Sequence, residues 1–110
     1  MKYEIVILES AEQDLRDLRS YLLKQFGRAV WLESFGEIKM VIDHLKTFPF
    51  SGVIPDELES INLAQFRQVM SGKNRIVYEV RQNVIFVHLI ADSRRDMQTL
   101  LTRRLLRVAV

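Results

Sequence analysis

The sequence contains no cysteine, which excludes a disulfide framework and a thiolate zinc site and suits a reducing compartment. It has two histidines, His44 and His88. They fall on different segments, and neither has a ligand-like neighbour at i±3 or i±4 beyond chance, so no metal centre is expected. No glycine-rich phosphate loop can be found among the four glycines. No apolar run reaches the length of a membrane span, and the start lacks a signal-peptide pattern. A cytoplasmic protein without a membrane partner is the expectation. A Ser–His–acid triad cannot be read from spacing, because triads are defined in space.

What is present is a chain of 110 residues, enough for one domain over 1–110 with a single hydrophobic core. The formal net charge of +2 hides an asymmetry. Residues 1–63 hold 7 Lys/Arg against 11 Asp/Glu, and residues 64–110 hold 9 against 3. Such a split has two readings: a basic face directed at nucleic acid or an acidic protein, or a solvated strand edge and helix face.

Tyr3 to Leu8 is apolar and β-branched and reads as a first strand. Ser10 with Gln13 three residues on is a capping-box pattern. Ala11, Leu15, Leu18, Leu22 and Phe26 then recur at helical spacing, predicting a helix over Ala11–Phe26, with Gly27 at its C-terminal cap. Leu32, Phe35, Ile38 or Lys39, Ile42 and Leu45 mark the inner face of a second helix, ended by Phe48-Pro49. Trp31, Met40 and Val41 lie off that stripe, either packed on a sheet or part of an exposed patch. The short link at Gly27 makes the two helices an antiparallel hairpin. Phe50 to Asn62 has no period and reads as a loop, with one helical turn near Pro55–Leu58. Strands follow at Phe66–Met70, Arg75–Val80 and Val84–Ile90, joined by links too short for anything but an antiparallel meander. Asp92 or Ser93 can cap a last helix from Arg94 to about Arg107, whose apolar side is Met97, Leu100, Leu101 and Leu105.

The expected architecture is an α+β fold. An N-terminal strand and an antiparallel α-hairpin pack on a roughly four-stranded antiparallel sheet, with a short C-terminal helix. The last strand is apolar on both sides except at His88. It is therefore expected to be central, its second face covered in part by the C-terminal helix or a partner.

The candidate site is basic. Arg67, Lys73 and Arg75 come from two strands and their turn, and Arg94 and Arg95 follow the last strand. In a meander these five can converge. Arginines opening a helix oppose its dipole, so a carboxylate or phosphate is expected there, either from a partner or internally from Asp92, Asp96 or Glu79. Arg103, Arg104 and Arg107 form a basic stripe on the tail, read as a solvated face or as a secondary contact. His88, inside an apolar strand, reads as a hydrogen-bonded core or partner-facing residue, and His44 as a surface residue.

A set of marks runs through the chain in order. They are Ala11-x-x-Asp14-Leu15, Tyr21, Gly27 and Ala29, Leu45-x-x-Phe48-Pro49 with Gly52, then Phe66-Arg67. Gly72-x-x-Arg75-Ile76-x-Tyr78-x-Val80 and Arg94-Arg95-Asp96 complete it. At this length and in this order the chain resembles the RelE/ParE superfamily of bacterial toxins, the poison halves of type II toxin–antitoxin modules. The Arg-Arg-Asp step and the Lys73-Asn74-Arg75 turn are similar to the ParE branch.

The resemblance implies a toxin that inhibits DNA gyrase and blocks replication, as in modules used for plasmid stabilization. It also implies neutralisation by a ParD-like antitoxin that folds on binding, with operator DNA reached only through the antitoxin and no cofactor. The RelE branch implies instead a ribosome-dependent endoribonuclease cutting mRNA. Such enzymes use several basic residues and a Tyr or His on the C-terminal segment as acid and base. This chain matches at Arg75 and Arg94. It departs from the RelE pattern after Arg94, where there is neither Tyr nor His, and in strand 2, where Arg67 is the single basic residue. A third reading is an inactive relic that only binds antitoxin and modulates operon repression.

Overall fold

The computed structural model describes residues 2–109, with side chains described up to Leu106. The elements are β1 (Glu4–Ile7), α1 (Glu9–Gln25), α2 (Arg28–His44), α3 (Asp56–Glu59), β2 (Phe66–Ser71), β3 (Asn74–Arg81), β4 (Val84–Asp92) and α4 (Met97–Ala109). They build the expected α+β fold, with β4 central in a four-stranded sheet of order β1-β4-β3-β2. The meander β2-β3-β4 is antiparallel, but β1 enters parallel to β4 and makes the sheet mixed. A parallel neighbour needs a long crossover. The helical hairpin and the meander together supply one between Ile7 and Val84.

Each face of the sheet carries its own core. On one face Ile76, Tyr78, Ile85, Val87 and Ile90 meet Ala11, Ile38, Ile42 and Leu45 of the hairpin and the segment after it. On the other, Phe66, Val77, Leu89 and Ala91 meet Leu58, Met97, Leu101 and Leu105. The C-terminal helix thus covers the second face, with α3 beside it. Alternation along β3 divides the residues between the two cores.

Several boundaries move relative to the sequence reading, each for a physical reason. The first helix starts at Glu9 and its N-cap is Leu8, without a side-chain cap. Ser10 makes no capping box, because its Oγ donates to the carbonyl of His88 (3.1 Å). Gln13 bonds Arg16 and Asp17 on its own helix. Gly27 does turn the chain, at φ +95°, where a side chain is rarely tolerated; its N–H donates to Leu22 O. Phe26 is exposed and packs edge-on against Tyr21. The buried stripe of α2 runs through Trp31, Phe35, Ile38, Ile42 and Leu45, at spacings of four and three. Leu32 and Met40 therefore face outward, while Val41 packs on the core.

The last helix starts three residues later than expected, at Met97. Asp96 rather than Asp92 or Ser93 caps it, accepting from Thr99 N (3.2 Å) and Thr99 Oγ1 (2.8 Å). Arg94 and Arg95 consequently lie in the turn before α4 and do not open the helix.

Candidate functional site

A cleft of about 680 Å³ opens between the distal half of the hairpin and one end of the sheet. Leu18, Tyr21 and Leu22 reach it from α1, and Phe26 and Val30 from the hairpin tip. Ser71, Gly72, Lys73 and Asn74 close it from the β2–β3 turn, and Ile90 to Asp92, Arg94 and Arg95 from the end of β4. The turn comes close because Gly72 adopts φ +58°, a conformation that a residue without Cβ adopts readily. Tyr21 and Phe26 leave about half or more of their surface in solvent (50% and 61%), forming an aromatic lip.

Three of the five basic residues singled out from the sequence meet at this cleft: Lys73, Arg94 and Arg95. Arg94 is tied to Asp92, its Nε donating to Oδ1 at 2.9 Å. That hydrogen bond, with the guanidinium charge, holds the Asp92 carboxyl down at about 2. Among the described residues Lys73 and Arg95 have no carboxylate partner.

The other two do not join this group. Arg67 pairs in register with Tyr78 and lies on the hairpin face; Arg75 pairs with Ala91 and lies on the α4 face. Arg67 Nη1 donates to Gly52 O (2.8 Å) while its guanidinium lies over Phe50. Arg75 is mostly buried and bonds Glu57 of α3 at 2.8 Å. Burial pushes the Glu57 carboxyl up, but the Arg75 hydrogen bond and charge outweigh it and leave the pKa lowered. The internal pairing anticipated for Arg94 is present with Asp92, and that of Arg75 is with Glu57, which sequence spacing did not suggest.

The tail residues also separate. Arg103 is exposed. Arg104 reaches back to α1, gripping Asp14 with both Nη atoms (3.0 and 3.1 Å) and touching His88 O (3.3 Å). The side chain of Arg107 lies outside the described residues.

A β-bulge explains why α1 and α4 meet β4 there. Val77 pairs with Leu89 and Tyr78 with Val87, so His88 is an extra residue. β1 ends at Ile7, opposite Val87, and side chains of α1 take over as partners of the strand beyond it. Ser10 satisfies His88 O and the carboxylate of Asp14 accepts from Ile90 N at 2.9 Å. The bulge also turns His88 inward, where it is 2% exposed and its Nε2 lies 3.1 Å from Glu79 Oε1. Burial lowers the His88 pKa, and the neighbouring Glu79 only partly offsets this. A side chain sealed this way is a core residue, out of reach of any substrate. His44 stacks on Phe48 at the surface.

Sequence reasoning missed Asp14, Glu57 and Ser71. Asp14 was visible as a family mark and an early-turn acid of the first helix, not as a partner of Arg104; Glu57 sat in a segment without period. Ser71 is 4% exposed, and its hydroxyl has no hydrogen-bond partner. Among the described residues no three His, Asp or Glu side chains group as a metal site.

The cleft combines an apolar floor with Asp17 and Glu37 on its helical wall and Lys73, Arg94 and Arg95 on its sheet wall. Comparison with known proteins agrees on fold and family. The chain is similar to the chromosomal ParDE toxin–antitoxin system of P. aeruginosa (TM-score 0.69, 13% identity, covering 83% of this chain and 96% of that one). It is also similar to the toxin–antitoxin complex RelBE2 of Mycobacterium tuberculosis (TM-score 0.56, 16% identity, 84% and 99%). A mutant of the E. coli toxin RelE in the free state matches over 98% of this chain and 99% of its own (TM-score 0.62, 17% identity). No curated protein matches the sequence at a significant level. The sequence model of the ParE toxin of the type II toxin–antitoxin system parDE matches residues 5–97, and the chain therefore belongs to that family of toxins.

Proposed function

We propose that this ParE-type toxin acts by binding DNA gyrase and blocking replication, and that a ParD-like antitoxin encoded beside it neutralises it. The observation that carries the reading is the state of the sheet arginines. Stabilising the charge of a transferring phosphate takes preorganised, available cations. Here Arg75 is committed to Glu57 and Arg67 to a backbone carbonyl, on opposite faces of the sheet, and Arg94, in the turn after β4, is paired with Asp92. The cations without internal partners, Lys73 and Arg95, border an apolar cleft, which supports recognition of a partner surface rather than chemistry on RNA. Lys73, Arg94 and Arg95 are the core of the proposed target surface, with Arg103 as an outlying contact.

The likeness to RelE toxins keeps a second reading alive, ribosome-dependent cleavage of mRNA. A supercoiling assay with purified toxin and gyrase separates the two. Inhibition with trapped, broken DNA is the expected result. Uninhibited gyrase together with mRNA cleavage in a translating extract would replace the gyrase reading by the ribonuclease one. Growth arrest on expression of the chain alone distinguishes an active toxin from a relic that only modulates repression.

A further inference from the structure

We infer that two copies of this chain pair face to face through a second groove, the one between α2 and the outer edge of β2, with Met40 of each copy seated in the groove of the other. The pairing is independent of the target proposed above.

The groove holds about 540 Å³ and shares no lining residue with the cleft at the hairpin tip. In a chain with 27% charged residues, none of its nine lining residues is Lys, Arg, Asp or Glu. Beside Met40 the nearest charges of α2 cancel, Lys46 pairing with Asp43 at 3.1 Å. A nucleic acid finds no cation here, and a charged segment finds no counter-charge. A second copy does not repel this face, because an isologous contact sets a surface against itself and this one is neutral.

The face also carries both halves of a fit. Met40 projects from the rim, 74% exposed, as does Val53, with Met70 half-exposed between groove and solvent. Methionine is flexible and polarisable and fills irregular apolar recesses. The apolar surface continues into Phe48, stacked on His44 of the lining, and into Phe50. These five side chains expose on the order of 600 Å², the upper end for a monomer and near the roughly 800 Å² that each partner of a stable pair buries.

The strand edge argues for a packed surface over an added strand. Gln68 turns its main chain outward and is already bridged there by Val53 (3.1 and 2.7 Å). Two residues on, Met70 faces the same way, and the chain turns at Gly72 directly after. The open edge is too short to template an extended peptide, so what it offers is side-chain contact. Pairing here leaves both hairpin-tip clefts open. The dimer therefore presents Lys73 and Arg95 twice, which strengthens binding to a target with repeated sites.

Sedimentation of the purified full chain over a concentration series is the test. A monomer–dimer equilibrium is expected at concentrations on the order of 10–100 µM. Met40→Glu and Met70→Lys alter exposed side chains and are expected to leave melting of the monomer unchanged. Each places its charge in the dimer twice and is expected to weaken pairing about 10- to 100-fold. A parent that stays monomeric across the series overturns the inference. A dimer that survives both substitutions overturns the placement. A monomeric parent whose binding to the protein encoded beside it is lost in both variants would give the groove to the antitoxin instead, and so overturn the pairing.

Discussion

At the scale of single residues, function and stability part company along the basic list. Arg75 looks like a site residue in the sequence, yet its guanidinium is mostly buried against Glu57. Removing one half of such a pair leaves the other without compensation. Arg75→Ala is expected to lower stability by about 2–3 kcal/mol, read in urea unfolding. Lys73→Ala and Arg95→Ala are expected to leave melting unchanged and to reduce toxicity. If Arg75→Ala melts like the parent, the internal assignment is wrong. Gly52 is another fixed point. A Cβ there would lie 2.6 Å from both Gln68 O and the Tyr78 hydroxyl, two groups that pin the loop after α2. Burial raises the Tyr78 phenol pKa, so the hydroxyl stays protonated while it accepts from Gly52 N. Gly52→Ala is expected to cost about 1–3 kcal/mol, and Tyr78→Phe about 1 kcal/mol, both measurable by thermal melting. Gly52 stood out in the sequence only as a family mark; its role depends on a loop packing against a strand 26 positions away.

At the scale of elements, the legible ones were those whose burial is periodic. The hairpin, the meander and the apolar side of α4 follow from spacing, because each buries one stripe or alternate positions. The parallel entry of β1 was not legible, since it depends on pairing between segments about 80 positions apart, and the bulge at His88 was not legible because a register shift between two neighbouring strands leaves no mark in their alternation. The cap of α4 was misplaced because Asp92, Ser93 and Asp96 all have capping side chains, and packing of Met97 and Leu101 chose among them. The joint of α1, β4 and α4 gives a test at this scale. Asp14→Ala removes the acceptor of Ile90 N and both bonds to Arg104. A loss of about 2–4 kcal/mol is expected. Asp14→Asn keeps one acceptor and is expected to lose less. Hydrogen exchange at Ile90 is the direct measurement: fast exchange in the alanine variant alone supports the joint, and equal protection in both variants would refute it.

At the scale of the whole molecule, two cores share one sheet, and stability depends on pH through the buried side of the second. His88 titrates below its ordinary range in the folded state because it is buried. Folding therefore disfavours its protonation, so its contribution is complete above the unfolded value of about 6.5 and is lost as pH falls below it. Asp92 adds a further loss at more acid pH, as its carboxyl titrates from the ordinary range toward about 2. The melting temperature is expected to fall from pH 7 to pH 5, and His88→Gln to flatten that slope. An unchanged slope in the variant would show that other groups dominate. The site itself was half legible at this scale. Charge counting found a basic C-terminal portion, but not the division of Arg67 and Arg75 between opposite faces, because register and face are properties of the assembled sheet. The grip of Arg104 on Asp14 spans 90 positions, which has a bearing on how the protein is born. The hairpin is synthesised first, and at about 5–20 residues per second the strands and helix that complete it arrive several seconds later. A nascent chain therefore passes through an interval in which the apolar stripes of α1 and α2 have no sheet to cover. During that interval the toxin is not yet folded and depends on whatever else in the cell can shelter those stripes.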